Sequence, residues 1–161
     1  GSLLTKHNVN SLDVKIDSLF NKYQPDVILT MGPEGAYGDP DHCIVSSKIT
    51  GVFQRGPSRL GQRLLYIGFT MESLSKVMEL NTGLVKWFKE NLKTTQKELL
   101  SYRIPIEKDD FEIARAALGC HKTQFTPEMV EEIFLVFGET EGTIFFRPFQ
   151  MSDQIKVDIL Q

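Results

Sequence analysis

The sequence predicts an α/β sandwich on a mainly parallel sheet, and three observations carry that expectation. Helical and strand patterns alternate along the chain. A continuous apolar run at residues 26–31 (DVILTM) reads as a strand buried on both faces, as in parallel sheets. That run leads through a glycine-rich loop into a new helical pattern, which makes one βα unit.

Residues 11–23 open the chain's pattern as a helix, because Leu12, Ile16, Leu19, Phe20 and Tyr23 recur at spacings of three and four. Asn10 or Ser11 can cap it, and Pro25 stops it. After the 26–31 strand, residues 32–39 (GPEGAYGD) form a loop holding three glycines and a proline. Asp39 is a natural N-cap and Pro40 sits at the first helical position of the next helix. Ile44, Val45, Ile49, Val52 and Phe53 give that helix its apolar side. Residues 54–62 read as a polar linker and 64–70 (LLYIGFT) as a second buried strand. Residues 71–80 suit a short helix or an ordered loop. A longer helix is expected over 84–100, bearing Leu84, Val85, Phe88, Leu92 and Leu99. Pro105 makes residues 103–107 an edge strand. Helices follow at 109–120 and 127–137, the second with Thr126 as cap and Pro127 at its start. Residues 143–149 read as a strand, with Phe145, Phe146 and Phe149 as core and Arg147 as edge-strand charge.

The composition bounds the function. A chain of 161 residues suits one domain with a core of its own. At 41% hydrophobic and 24% charged it is an ordinary globular protein rather than a disordered one. A net charge of −3 supplies no basic excess for nucleic acid or an acidic membrane. Apolar runs are too short to span a bilayer, and the first ten residues do not read as a signal peptide. Cys43 and Cys120 are too few for a disulfide framework. They are expected as small buried residues, and a reducing, cytoplasmic setting follows.

Chemistry concentrates at residues 32–42, where Glu34, Tyr37, Asp39, Asp41 and His42 lie close together. Ligands of open α/β sheets gather at the carboxyl ends of strands, where such a loop would lie. Asp39, Asp41 and His42 would fall on the first turn of the following helix, where an imidazole can meet a metal. The same residues also suit plainer roles, with Asp39 as a cap, Asp41 on the helix dipole and His42 on the surface.

Residues 25–42, PDVILTMGPEGAYGDPDH, resemble the second signature of the GlcNAc-phosphatidylinositol de-N-acetylase family, the PIG-L or LmbE-like proteins. That signature is a P-D-V strand, a G-P-D/E-G-x-Y-G loop and an H-P-D-H motif. Residues 117–125 (ALGCHKTQF) are similar to the family's A-x-x-x-H-x-S/T-Q segment, and Gly1–Ser2–Leu3 to its D-G-S-L stretch. The resemblance implies a Rossmann-like three-layer α/β/α sandwich that removes N-acetyl groups from amino-sugar conjugates with a divalent metal, usually zinc. By that resemblance His42 is a metal ligand, Asp41 and Asp39 occupy catalytic positions, and Glu34, Tyr37 and His121 bind substrate or support the site. His121 near a helix end also suits a plain dipole interaction.

Two departures qualify the resemblance. Asp39 stands where the family has the first His of H-P-D-H, and an ionised carboxylate would repel a developing oxyanion. The A-H-P-D-D-E signature, source of two further ligands and the general base, is absent from these residues; His7 and His121 are the other histidines. The expectation is therefore a C-terminal portion lacking the first strand and metal motif, with zinc bound weakly or not at all by this chain alone. A partner is expected, either the missing segment or a second copy, because a truncated sheet exposes an edge. Two rival readings stand: a non-catalytic sugar-binding or interaction relative, and a nucleotide-binding module using residues 32–38. The glycine spacing there fits neither G-x-G-x-x-G nor the Walker pattern.

Overall fold

The computed structural model describes residues 9–56, 61–138, 142–150 and 154–160. The expected elements at the start of the chain form in order: helix α1 (Asn10–Tyr23), strand β1 (Val27–Met31), a short helical turn α2 (Gly35–Gly38), helix α3 (Pro40–Arg55) and strand β2 (Arg63–Gly68). Helix α4 (Gly83–Asn91), strand β3 (Tyr102–Pro105), helices α5 (Lys108–Gly119) and α6 (Pro127–Gly138), and strand β4 (Thr143–Pro148) follow.

Among the described residues four strands make one sheet in the order β1-β2-β4-β3. Only β1 and β2 run parallel; β4 is antiparallel to both β2 and β3. The mainly parallel sheet expected from the apolar runs is thus corrected. An apolar run reports burial but not direction. Here direction is set by the helical pair α5–α6, from which the chain enters β4 between β2 and β3. β4 is consequently an interior strand, so Arg147 is no edge charge; its guanidinium lies 5.4 Å from the Tyr66 ring centroid. Pro105 does lie on the edge strand β3, as its missing N–H requires.

β1 is also an edge strand, and Leu29 at its centre is 49% exposed, so burial on both faces is corrected too. Its other side chains divide as the pleat dictates. Ile28, Leu64 and Tyr66 join Ile16 and Phe20 of α1 and Val52 and Phe53 of α3 in one core. Leu65, Tyr102 and Phe146 form a second cluster on the opposite face, with Val27, Ile67, Ile104 and Ile159 against it. The helices α1 and α3 therefore cover one face, while the other is closed in part by Ile159 from the chain's end.

α1 buries a narrower stripe than its apolar residues suggested: Leu12, Ile16 and Phe20 face inward, whereas Leu19 and Tyr23 are exposed. Its start also differs, for Val9 is the N-cap residue and makes no side-chain cap bond. Gln24 ends it in the left-handed region, donating its N–H to Phe20 O at 2.9 Å. Asp13 ties α1 to Lys48 and Arg55 of α3, both at 3.0 Å.

The expected 84–100 helix stops at Asn91. Beyond it the backbone bonds outward: Lys93 N–H donates to Ala36 O at 2.8 Å, and Thr95 N–H to Phe69 O at 2.7 Å. A 3-10 turn, Lys97–Leu99, resumes before β3. Tertiary hydrogen bonds outweigh local helix propensity here. They also clamp α4 to the loop after β1.

Candidate functional site

The loop between β1 and α3 is held in an uncommon backbone path. Gly35 has φ +65°, and a Cβ placed there would lie 2.7 Å from Cys43 Sγ. Ala36 follows at φ 62°, ψ −59°, a region that costs an alanine strain of about 1–3 kcal/mol. The surrounding bonds over-determine it: Gly35 N–H donates to Gly32 O at 2.9 Å, Gly38 N–H to Glu34 O at 3.1 Å, and Ala36 O accepts from Lys93.

Asp39 then caps α3. Its Oδ1 accepts the backbone N–H of Asp41 at 2.8 Å and of His42 at 3.1 Å. Pro40 at N1 and Asp41 in the first turn complete the start that the residue types announced. This geometry points the His42 ring back at the loop, where Nδ1 lies 3.3 Å from Gly35 O. A carbonyl only accepts, so Nδ1 carries the proton in that contact and Nε2 of a neutral ring keeps its lone pair. Metal-ligating and acid–base histidines are oriented through their other ring nitrogen in this way.

The Tyr37 ring packs edge-on to His42 with centroids 5.1 Å apart, and to Trp87 of α4 at 4.8 Å. Burial, and then the Asp39 charge, push the Tyr37 hydroxyl above its ordinary pKa and keep it a neutral donor. Glu34 turns its carboxylate over Gly32, with Oε2 3.9 Å from Arg147 Nη2. Glu34, Tyr37, Asp39, Asp41 and His42 therefore share one loop and one helix turn at the carboxyl end of β1.

His121 stands apart. It is exposed in the turn after α5, where its carbonyl accepts from Gln124 and Phe125, and α5 packs on α6 through Phe111 and Phe134. No described side-chain contact joins it to the loop. Cys43 is half-buried and Cys120 exposed, its Sγ 3.4 Å from Ala116 O, so the expected burial of both is corrected. His7 and Gly1–Ser2–Leu3 lie outside the described residues.

Among the described residues no three His, Cys, Asp or Glu side chains are grouped to hold a metal ion. Zinc needs three protein ligands and an open position, so these residues do not by themselves fit a catalytic zinc centre. A cavity of about 230 Å³ lies elsewhere, at the start of β2, lined by Phe53, Gln62, Arg63, Tyr102, Pro148 and Phe149 among others.

Trp87 was missed by reasoning from sequence, and a signal for it existed. Leu84, Val85 and Phe88 make the inward stripe of α4, which leaves the chain's single tryptophan off that stripe with no core role. The Gly35 carbonyl could not have been foreseen, because backbone direction at a positive φ is not written in residue type.

The fold and site define a mixed α/β domain with an oriented histidine beside a strand's carboxyl end. Comparison with protein-family models and with curated proteins found no match. No helix among the described residues is long and apolar enough to cross a membrane.

Proposed function

We propose that this chain is the histidine-bearing part of a cytoplasmic, metal-dependent hydrolase that removes N-acetyl groups from an amino-sugar conjugate. The single observation that carries this reading is the His42 ring, held through Nδ1 on Gly35 O so that Nε2 is left to act. The resemblance of residues 25–42 to the PIG-L/LmbE signature supports it and supplies the substrate class. The strained loop beneath is the kind of pre-organisation that functional sites use. Zinc belongs to the proposal only with ligands from beyond the described residues, supplied by a further segment or a second chain. The same partner would lie along the free edge of β1 and extend the sheet toward a Rossmann-like α/β/α sandwich.

A non-catalytic sugar-binding relative is the second reading, and the Asp39 cap favours it. Two backbone donors hold this carboxylate as an acceptor, whereas the resemblance expects a histidine donor there. Acetate release from N-acetylglucosamine conjugates, measured with zinc on the protein with all its encoded residues, separates the two. The enzyme reading expects His42→Ala to abolish turnover and Asp39→His to preserve or raise it. Absence of acetate release from the wild type and from Asp39→His overturns it in favour of the binder. Sedimentation of the 161-residue chain tests the edge: association is expected, and a strict monomer at high concentration argues against a β1 partner.

A further inference from the structure

Trp87 is 41% exposed, unusual for an indole that also makes two ring contacts. Its Tyr37 contact is edge-type, with an interplanar angle of 70°, and Phe88 lies tilted at 5.6 Å. Neither contact covers the ring as a stacked partner would. Trp87, Tyr37 and His42 thus form a row of three rings, running from solvent to the imidazole. The row is rigid for its size. Lys93 N–H on Ala36 O fixes the end of α4 to the loop, and Thr82 Oγ1 caps the start of α4 by accepting from Val85 N–H. Glu34, Asp39 and Asp41, acceptor-only when ionised, belong to the same loop and turn. A half-exposed indole packed against Tyr37 of a loop that also carries three carboxylates suits a molecule with a C–H face and hydroxyl donors, which describes a pyranose.

We propose that Trp87 is the stacking platform for the sugar ring of the ligand, with Tyr37 bridging it to His42. This rests on the proposed amino-sugar reading and adds the residue that would hold the ring. Trp87 makes no contact with the reacting group in this arrangement; it is a positioning residue supplied by α4, outside the loop.

The chain's lone tryptophan reports on itself, because all indole emission comes from Trp87. Titration of the 161-residue chain with N-acetylglucosamine, and separately with methyl β-glucoside, should shift its emission to the blue and protect it from acrylamide. Acetamide alone should do neither. Calorimetry should show Trp87→Leu weakening both sugars about three- to tenfold and Trp87→Phe, which keeps an aromatic ring at this place, weakening them less. Sugar binding by calorimetry without any emission change overturns the platform, and so does the absence of sugar binding. Sugar-dependent emission without acetate release in the protein with all its encoded residues would retain the platform and remove the hydrolase reading. Acetate release with Trp87→Leu at wild-type KM would do the reverse.

Discussion

Gly35 is where a single atom matters most. Its positive φ is one that side chains resist, and the room beside it is taken by Cys43 Sγ. Gly35→Ala therefore combines backbone strain with a clash against the first turn of α3. We expect a loss of about 1–3 kcal/mol, read from the urea midpoint, together with a changed environment for His42, read from the NMR shifts of its ring protons. Gly38 also has a positive φ, +80°, yet open space surrounds its Cβ direction, so Gly38→Ala should carry the backbone cost alone. A larger loss at Gly38 than at Gly35 would show that the loop path differs from the one described. Asp39 has two consequences at once. Asp39→His removes a side-chain cap bonded to two N–H groups, at a stability cost of about 1 kcal/mol, whatever it does to turnover.

Among the elements, α4 is tied at its start to α6 through a single carboxylate. Glu132 of α6 accepts Leu84 N–H at 2.8 Å, and with the Thr82 hydroxyl it receives the start of α4. The Thr82 bond first, and the Leu84 N–H second, hold the Glu132 carboxyl below the ordinary glutamate range. A depressed carboxyl contributes its stability above the unfolded pKa. That contribution is lost as pH falls through the lower folded value, because the unfolded chain binds the proton first. Acid should therefore loosen α4 from α6 from about pH 4 downward. Hydrogen exchange at Leu84 and Val85 across pH 3 to 6 would record it, and Glu132→Gln should flatten that dependence. An unchanged slope in the variant would assign the acid sensitivity elsewhere. The Asp13 carboxylate shifts in the same direction, chiefly through its hydrogen bond from Lys48, and adds to acid lability at the α1–α3 contact.

At the scale of the molecule, two apolar clusters pack on opposite faces of one sheet and a third gathers Val77 and Val85 under α4. Leu65 is fully buried in the cluster with Tyr102 and Phe146, at the point where β2 meets β4. Leu65→Ala should cost about 2–5 kcal/mol, a large share of the 5–15 kcal/mol typical of a domain. Thermal unfolding by circular dichroism and by Trp87 fluorescence should stay coincident in the variant. Separated transitions would mean that α4 and its tryptophan unfold independently of the sheet.

The order of elements and the start of α3 were legible in the residues, because both are decided within a few positions of chain. Pro40 after Asp39, Pro127 after Thr126, and the period of Ile16, Phe20, Val52 and Phe53 act locally, and each produced the element it announced. The five candidate residues from Glu34 to His42 were brought together for the same reason: they are neighbours along one loop. His121 was carried by the resemblance alone, and the structure sets it in an exposed turn after α5. Strand direction, the edge position of β1, the break in α4 and the Trp87–Tyr37–His42 row were decided only by tertiary structure. Each depends on partners distant in sequence: β4 against β2, Lys93 on Ala36, and Trp87 against Tyr37. Burial patterns show which side chains leave water, but hydrogen-bond pairing across the sheet and packing between helices choose the partners.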